Sequence, residues 1–311
     1  MPAPLAPDTP VQPSIPNYRQ EVSLYTALPG MALHYGWATL GNLHERIGEE
    51  EQLRDRSDFT SGNTFNALWV RVIGEDGNVT GASQGIGAGL ANAFLDRGYN
   101  VVATSRRVTQ TDEIKASDSL ARVDGDIADP ATAQRVVDAA LSRFGTIDAL
   151  VNNAGIFFTK PFIDYTLEDY RKLSSTNLEG FLHLTQLVVR QMLIQKTGGS
   201  IVSITTPLVD HPIAGINASV AMATKGGIEA LSKNIALEYA KEGIRVNTVA
   251  PGVVDTPLHK DNPKEFLKTM SPMHSISNVQ EIADAVLFLT EAPRVTGEVL
   301  HVDGGAHLGK W

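Results

Sequence analysis

A short stretch near residue 80 has the composition of a loop that holds a phosphate group. It consists of Thr80, Gly81, Ala82, Ser83, Gln84, Gly85, Ile86 and Gly87. Residues 88–95, which follow, are apolar and predict a helix. Glycine lets the backbone turn tightly and approach a ligand closely, and the amino end of a helix favours a negative charge. The stretch is therefore a candidate pyrophosphate loop, although an ordinary tight turn has the same pattern.

Strand and helix patterns alternate regularly after this loop. Strands are predicted at residues 100–104, 121–125, 147–151, 201–204, 244–249 and 299–302. Helices are predicted between them at residues 132–144, 167–195, 223–241 and 279–289. This alternation predicts an α/β fold, a doubly wound parallel sheet with helices on both faces. Ligands of such sheets bind at the carboxyl ends of the strands, where the polar motifs of this sequence fall.

The segment that leads into the glycine loop has an unusual sequence for its place. A central strand of a parallel sheet is expected to be an almost continuous apolar run. Residues 74–79 instead have the sequence Gly-Glu-Asp-Gly-Asn-Val, which is typical of a turn. Either residues 69–73 form the strand, followed by an insertion, or the central strand is poor. We favour the poor strand, which predicts lowered stability and a distorted phosphate loop.

The overall composition excludes several kinds of partner. The chain has 311 residues, of which 42% are hydrophobic and 20% charged, as in a globular protein with a sizeable core. Neither a membrane span nor a signal peptide is recognisable. A net charge of −9 argues against nucleic acid or an anionic membrane as a partner. The lack of cysteine fits the cytoplasm, and the eight histidines are too scattered to predict a metal site.

The first 65 residues differ from the rest. Proline makes up six of the first sixteen residues, which predicts a disordered or polyproline-like lead. Apolar residues at helical spacing between residues 31 and 54 predict a surface helix. Residues 17–77 also resemble the segment that joins passenger to barrel in bacterial autotransporters. We therefore divide the chain into an extension, residues 1–65, and a single α/β domain, residues 66–311, and consider a fusion of two reading frames.

Five motifs occur in order from residue 80 to the end of the chain. They are the glycine loop, Asn152-Asn153-Ala154-Gly155, Asn177, Pro251-Gly252 with Thr256-Pro257, and Val302-Asp303-Gly304-Gly305. In their types, order and spacing they closely resemble the motifs of the short-chain dehydrogenase/reductase family. The resemblance implies a Rossmann-type fold and reversible hydride transfer between a nicotinamide cofactor and an alcohol or ketone carbon.

The resemblance also implies which residues bind the cofactor. They are Gly81, Ser83, Gln84, Gly85, Ile86, Gly87, Ser105, Arg106, Asp126, Ile127, Asn153, Ala154, Gly155, Lys225, Pro251, Gly252, Val254 and Thr256. At the end of the second strand an acidic residue would bind a ribose 2′-hydroxyl, whereas an arginine accommodates a 2′-phosphate. Ser105 and Arg106 stand there without a carboxylate, so NADP(H) is favoured over NAD(H). A solvated basic turn is the alternative interpretation.

The catalytic positions implied by the resemblance contain one unexpected residue. They are Asn177, Thr206, Ala221 and Lys225. The family uses a tyrosine as proton donor four residues before the lysine, since positions i and i+4 share one face of a helix. Ala221 occupies that position and cannot carry a proton, while Thr206, or its neighbour Thr205, replaces the family's serine. Because a positioned general acid contributes about 10²–10⁴-fold in rate, we expect a degraded catalytic centre.

Several interpretations of this centre remain open. The chain could be an oxidoreductase that uses another donor, such as His211 or a bound water. It could instead be a non-catalytic dinucleotide-binding module, a crippled variant of an ordinary enzyme, or a non-functional fusion product. The expected substrate is a small carbonyl or alcohol compound. Within residues 258–277, Phe266, Met270 and Met273 predict an apolar pocket for it. The family resemblance implies a homodimer or homotetramer formed through the helices at 167–195 and 223–241.

Overall fold

A computed structural model describes residues 76–309 of the chain. Its strands are β1 Asp76–Thr80, β2 Asn100–Ser105, β3 Leu120–Asp124, β4 Ala149–Asn152, β5 Gly199–Ile204, β6 Ile244–Pro251 and β7 Val299–Val302. They form one sheet in the order β3-β2-β1-β4-β5-β6-β7, and every neighbouring pair is parallel. The predicted doubly wound α/β fold is therefore confirmed.

Seven α-helices connect these strands within the described residues. They are α1 Gly85–Asp96, α2 Pro130–Arg143, α3 Leu167–Ser174, α4 Gly180–Gln195, α5 Ser219–Glu238, α6 Lys264–Lys268 and α7 Val279–Glu291. Local sequence explains several of their starts. Asp129 caps α2, whose first residue is proline, and Asn278 and Glu281 form a reciprocal capping box at α7.

The helix predicted at residues 167–195 is not continuous. It is divided into α3, a π-helical segment Ser175–Glu179 and α4. A π-helical turn inserts an extra residue into the helical hydrogen-bond ladder, and such turns often lie at functional sites. Asn177 lies within this segment and is buried.

The sequence of β1 is polar, as the favoured interpretation predicted, but the assignment of residues 74–79 as a turn is wrong from Asp76 onward. All five residues of β1 are buried, and the strand pairs with β2 and β4. Asp76 accepts hydrogen bonds from Asn100 Nδ2 at 3.0 Å and from the Thr146 hydroxyl at 2.6 Å. The Nδ2 atom of Asn78 has no hydrogen-bond partner within residues 76–309. Tertiary burial has thus overridden local turn propensity.

The apolar core lies on both faces of the sheet. Leu90 and Phe94 of α1 pack with Leu289 of α7 on one face. Leu184 of α4 and Ile201 of β5 belong to the cluster on the other face. Within the described part of the chain, no helix is long and apolar enough to cross a membrane.

The predictions for the front end fall outside the described residues. They include the proline-rich lead, the surface helix between residues 31 and 54, the alternative strand at 69–73 and nearly all of the autotransporter-like segment. The boundary between an extension at 1–65 and a domain at 66–311 therefore stays a prediction.

Candidate active site

The glycine loop connects β1 to α1 and has a backbone that requires glycine. Gly81 and Gly85 have φ values of +65° and +56°, in the left-handed region that other residues rarely adopt. A Cβ atom on Gly87 would lie 2.1 Å from the Gly81 carbonyl oxygen. The residue before α1, Gln84, makes no side-chain capping bond to the first turn. The loop is therefore a cradle of bare backbone at the amino end of a helix, which suits a phosphate group.

Asn153 ties this loop to the end of β4. Its Nδ2 atom donates to the carbonyl oxygens of Thr80 at 3.0 Å and Gly81 at 3.4 Å. In return, the Thr80 hydroxyl accepts from the backbone N–H groups of Asn153 and Ala154, both at 2.9 Å. Two loops that are 72 to 74 residues apart in sequence are thus fixed side by side at the carboxyl edge of the sheet.

The loop after β6 approaches the glycine loop from the other side. A Cβ atom on Gly85 would lie 3.4 Å from Cβ of Thr256, and one on Gly252 would lie 2.8 Å from Cα of Asp303. Pro251 ends β6, and Val254 is buried in a short bridge to Ser277. Of the four sequence-predicted cofactor positions at residues 251–256, Thr256 therefore lies beside the glycine loop, while Gly252 packs against Asp303.

Four further predicted cofactor positions lie at or just after the ends of β2 and β3. Ser105 is the last residue of β2, and Arg106 follows it with an exposed side chain. Ser105 Oγ accepts from the backbone N–H of Arg107 at 3.3 Å. After β3, Asp126 caps the backbone of Ala128 at 3.0 Å, and Ile127 is buried. The exposed guanidinium of Arg106 is free of ion pairs in the described structure and available to an anionic ligand.

Asn177 holds the backbone of the loop after β4. Its Oδ1 accepts from the Ile156 N–H at 2.9 Å, and its Nδ2 donates to the Ile156 carbonyl at 3.1 Å. Nδ2 also donates to the Thr224 hydroxyl at 2.9 Å, which itself donates to the Ala221 carbonyl at 2.7 Å. Asn177 is 1% exposed, so its role in this structure is to join the π-helical segment to α5. The part played by Thr224 was missed by sequence reasoning.

Lys225 lies nearly two turns into α5 and points toward the same region. Its Nζ donates to the Ile204 carbonyl at 2.7 Å. A Cβ atom on Gly155 would lie 3.2 Å from Lys225 Nζ and 3.3 Å from Asn177 Oδ1, so both polar groups converge on that glycine. Burial lowers the pKa of Lys225 to about 8, and the negative charge of Glu229 partly opposes the shift.

Position 206 provides a hydroxyl group, whereas position 221 provides only an apolar side chain. Thr206 follows β5, is half-buried, and accepts from the Leu208 N–H at 3.4 Å, so its hydroxyl proton can point elsewhere. Ala221 lies on α5, four residues before Lys225 as predicted, but it is only 1% exposed and packs with Leu173 and Ala218. Position 221 therefore contributes an apolar surface and no titratable group.

His211 and the segment 258–277 are the remaining parts of the site that the sequence suggested. The ring of His211, in the loop after β5, lies 6.5 Å from the ring of His307. In the segment 258–277, Phe266 and Met273 are 60% and 72% exposed. Met270 is half-buried, and the expected pocket around these three apolar side chains stays a prediction.

The strand order and the glycine cradle at the carboxyl end of β1 define a Rossmann-type dinucleotide-binding domain. The family model described as Enoyl-(Acyl carrier protein) reductase matches residues 81–307. Carbonyl reductase family member 4 of Xenopus tropicalis is 36% identical over 232 residues, which cover 74% of this chain and 97% of the relative. The chain belongs to the short-chain dehydrogenase/reductase family, as its motifs predicted.

Solved structures of the same family superpose on most of the chain. A 3-ketoacyl-(acyl-carrier-protein) reductase from Brucella melitensis, complexed with NADH, has a TM-score of 0.70 at 28% identity and covers 75% of this chain and 98% of its own. A variant of ElxO with NADPH bound has a TM-score of 0.67 at 26% identity, again covering 75% of this chain and 98% of its own.

Proposed function

We propose that the chain is an oxidoreductase that transfers hydride between NADP(H) and an alcohol or ketone carbon of a small molecule, with a weakened catalytic centre. The observation that carries this proposal is the convergence of Lys225 Nζ and Asn177 Oδ1 on Gly155, beside the phosphate cradle. Membership of a family of carbonyl- and alcohol-converting enzymes supports the reaction class.

A nicotinamide dinucleotide fits the residues present. Gly87 lets the first turn of α1 pack directly against the Gly81 carbonyl, and Gly81 lets the loop lie against Ala154, so bare backbone N–H groups at the start of α1 can face a pyrophosphate. Related structures hold NADH and NADPH, which supports the cofactor class. When bound, the nicotinamide supplies or accepts the hydride. The exposed Arg106, with Ser105 beside it, favours the 2′-phosphate of NADP(H) over the bare ribose of NAD(H).

The remaining residues orient the substrate and the cofactor. The Thr206 hydroxyl can donate a hydrogen bond to the substrate oxygen, and Asn177 fixes the loop that follows Gly155. Lys225 places a positive charge on the cleft, where it stabilises negative charge that develops on that oxygen. With alanine at position 221 the phenol donor of the family is missing, so we expect turnover reduced by about 10²–10⁴-fold.

Cofactor titration tests the first half of the proposal. Dissociation constants for NADPH and NADH are measured by calorimetry on the full chain, on Arg106→Ala and on Arg107→Ala. We expect tighter binding of NADPH, and at least a tenfold loss of NADPH affinity in Arg106→Ala with little change for NADH. Arg107→Ala is the matched control, because it removes the neighbouring exposed arginine. Equal binding of both cofactors by all three proteins would overturn the NADP(H) preference.

A carbonyl screen with Ala221→Tyr tests the second half. We expect slow NADPH oxidation by the natural chain and a gain of up to about 10²–10⁴-fold in the variant. Ala223→Tyr adds the same side chain on the exposed side of α5 and should not increase turnover. A second candidate function, a non-catalytic dinucleotide-binding module, is favoured by the burial of Ala221 among Leu173 and Ala218. Tight cofactor binding without turnover in either protein would support that module.

We also propose self-association through α4 and α5. Ile194 at the end of α4 and Leu237 at the end of α5 are 73% and 82% exposed, which is unusual for large apolar side chains on long helices. Sedimentation velocity should show a dimer or tetramer. Leu237→Asp should shift the distribution toward the monomer, and an unchanged distribution, or a monomer in the natural chain, would contradict the assignment.

A further inference from the structure

A buried carboxyl group lies one helical turn beyond Lys225. Glu229 belongs to α5 and is only 4% exposed. Its Oε1 atom is buried and has no hydrogen-bond partner within residues 76–309. An ionisable side chain is expensive to bury without a compensating partner, so a glutamate here requires an explanation. At sequence level it had the pattern of an ordinary helix residue.

The surroundings of Glu229 connect it to the catalytic positions. The Thr205 hydroxyl lies beside the carboxyl group and also donates to the Val249 carbonyl at 3.3 Å. Thr205 lies between Ile204, whose carbonyl accepts from Lys225 Nζ at 2.7 Å, and Thr206. Three consecutive residues at the end of β5 therefore contact Lys225, approach Glu229 and present a hydroxyl for the substrate.

The charges that face Glu229 come from two elements. Lys225 and Lys233 belong to α5, and Asp210 belongs to the loop after β5. Burial raises the pKa of Glu229, the Thr205 hydroxyl lowers it, and Asp210 raises it further. Conversely, the charge of Glu229 raises the pKa of Lys225 against the lowering effect of burial. The titrations of Lys225 and Glu229 are thus coupled, and each group favours the charged form of the other.

We propose that the Lys225 ammonium group is the proton donor of this chain, and that Glu229 is a positioning residue that keeps Lys225 protonated. This inference rests on the proposed function. Ala221 has no proton to give, the Thr206 hydroxyl is too weak an acid, and the Asn177 amide is committed to Ile156 and Thr224. Among these catalytic positions, Lys225 carries the one ionised group, and its Nζ converges with Asn177 Oδ1 on Gly155.

The proposed reaction transfers one hydride and one proton to the carbonyl group. In the reductive direction a hydride from the reduced nicotinamide forms the new C–H bond, and the carbonyl carbon is reduced by two electrons. One N–H bond of the Lys225 ammonium breaks as the O–H bond of the alcohol forms. The neutral amine that remains takes a proton from water before the next turnover, and the charge of Glu229 favours this step. Oxidation of an alcohol follows the same path in reverse.

The first test measures the pKa of Lys225 without turnover. Competitive acetylation of the intact chain at a series of pH values, followed by mass spectrometry, gives the pKa of each lysine. We expect a value for Lys225 well below that of the exposed Lys241, and a further decrease of at least half a unit in Glu229→Gln. Glu238→Gln, at the exposed end of the same helix, is the matched control and should leave the value unchanged.

The second test connects that pKa to catalysis. The kcat for carbonyl reduction should fall as pH rises through the pKa of Lys225. In Glu229→Gln this falling limb of the kcat–pH profile should move to lower pH, by the same amount as the Lys225 pKa measured by acetylation. Glu229→Asp keeps the negative charge, so its kcat limb should lie nearer to that of the natural chain than the limb of Glu229→Gln does. The same variant provides the test if Glu229→Gln does not fold. Lys225→Arg keeps a positive charge that does not deprotonate in this range, so its turnover should be lost.

Each outcome decides between the inference and the proposed function. An unchanged Lys225 pKa in both Glu229 variants, or a kcat limb that does not coincide with it, would overturn the inference while leaving the oxidoreductase assignment intact. Normal turnover in Lys225→Arg would also overturn it. Cofactor binding with no turnover by the natural chain at any pH would instead reject the oxidoreductase, and with it the donor role, even if the pKa coupling were found.

Discussion

The Nδ2 atom of Asn153 donates a hydrogen bond to the carbonyl oxygen of Thr80 at 3.0 Å, which joins the end of β4 to the start of the glycine loop. The same atom reaches the Gly81 carbonyl at 3.4 Å, and the Thr80 hydroxyl accepts two N–H groups from the β4 side. This reciprocal arrangement fixes the loop before any ligand is present. Preorganisation of this kind increases affinity because less conformational freedom is lost on binding.

Asn153→Ala should therefore weaken cofactor binding more than it weakens the fold. We expect the Kd for NADPH to rise about tenfold and the free energy of unfolding to fall by about 1–2 kcal/mol. Asn92→Ala is a suitable control, since Asn92 makes two hydrogen bonds of similar length, to Glu113 O and from Lys115 N, away from the loop. Calorimetry and urea denaturation measure the two quantities. Equal loss of cofactor affinity in both variants would contradict a specific role for Asn153.

The unpartnered amide of Asn78 predicts a stabilising substitution. Asn78 is 2% exposed in the centre of the sheet, and its Nδ2 has no hydrogen-bond partner in the described structure. Asn78→Val should raise the free energy of unfolding by about 1–2 kcal/mol, because it removes an unpaired buried donor and favours a strand. Asn100→Val is the contrasting variant. Asn100 donates to Asp76, so its loss should destabilise, and a thermal melt in which both variants behave alike would disprove this account.

Much of the fold could be predicted because its signals are local. Strand and helix alternation gave the sheet, and the short motifs gave the family. β1 was partly missed because its polar residues have turn propensity, whereas its strand conformation is imposed by β2 and β4 on either side. The π-helical break at Asn177 was also missed, and Asn177 makes hydrogen bonds there to Ile156, 21 residues away in sequence, which a local pattern does not reveal.

The candidate site was predicted less completely than the fold. Residues in family motifs could be named from their spacing, and the structure brings several of them together around Gly155 and the glycine loop. Glu229 could not be found this way, because a glutamate on a helix usually faces water. Its burial is a tertiary feature, with the Thr205 hydroxyl beside its carboxyl group, and its relation to the lysine four residues earlier is one that the i, i+4 rule could have indicated.

The paired carboxyl groups at the start of β1 predict a pH dependence of stability. Burial raises the pKa of Asp76 above its ordinary value of 3.8, hydrogen bonds from Thr146 and Asn100 lower it, and Asp148 raises it further. Because the folded state holds this proton more tightly than the unfolded chain, stability contributed by Asp76 falls as pH rises from 3.8 through the folded pKa. At neutral pH the charged group is therefore a net cost to the fold.

Asp76→Asn should remove this cost. The amide can keep the partner Asn100 and can donate to the Thr146 hydroxyl, which already lies 3.1 Å from Asp148 Oδ2. We expect the variant to be more stable than the natural chain at pH 7, with a difference that shrinks as the pH approaches 4. Denaturation midpoints measured across that range check the prediction. If the stability of the natural chain increased relative to that of the variant as pH rises, the predicted sign would be wrong.

The convergence of two polar groups on Gly155 predicts a variant that damages catalysis through its geometry. A methyl group there would lie 3.2 Å from Lys225 Nζ and 3.3 Å from Asn177 Oδ1. Asn177 is held by three hydrogen bonds, so the end of the Lys225 side chain is the group that must shift, by a few tenths of an ångström. Gly155→Ala should therefore reduce the proposed turnover by roughly tenfold or more, the loss expected when a reacting group is displaced by a fraction of an ångström.

Gly226→Ala is the control for this variant. Its added Cβ would contact only the Val209 side chain, at 3.3 Å, next to Lys225 but away from the convergence point, and alanine is the better helix former. Steady-state kinetics and lysine acetylation should show a change in Gly155→Ala alone. If the two variants have the same kcat and the same rate of Lys225 acetylation, the position of Nζ beside Gly155 has no part in the reaction. Lys225 would then not act on the substrate from this position.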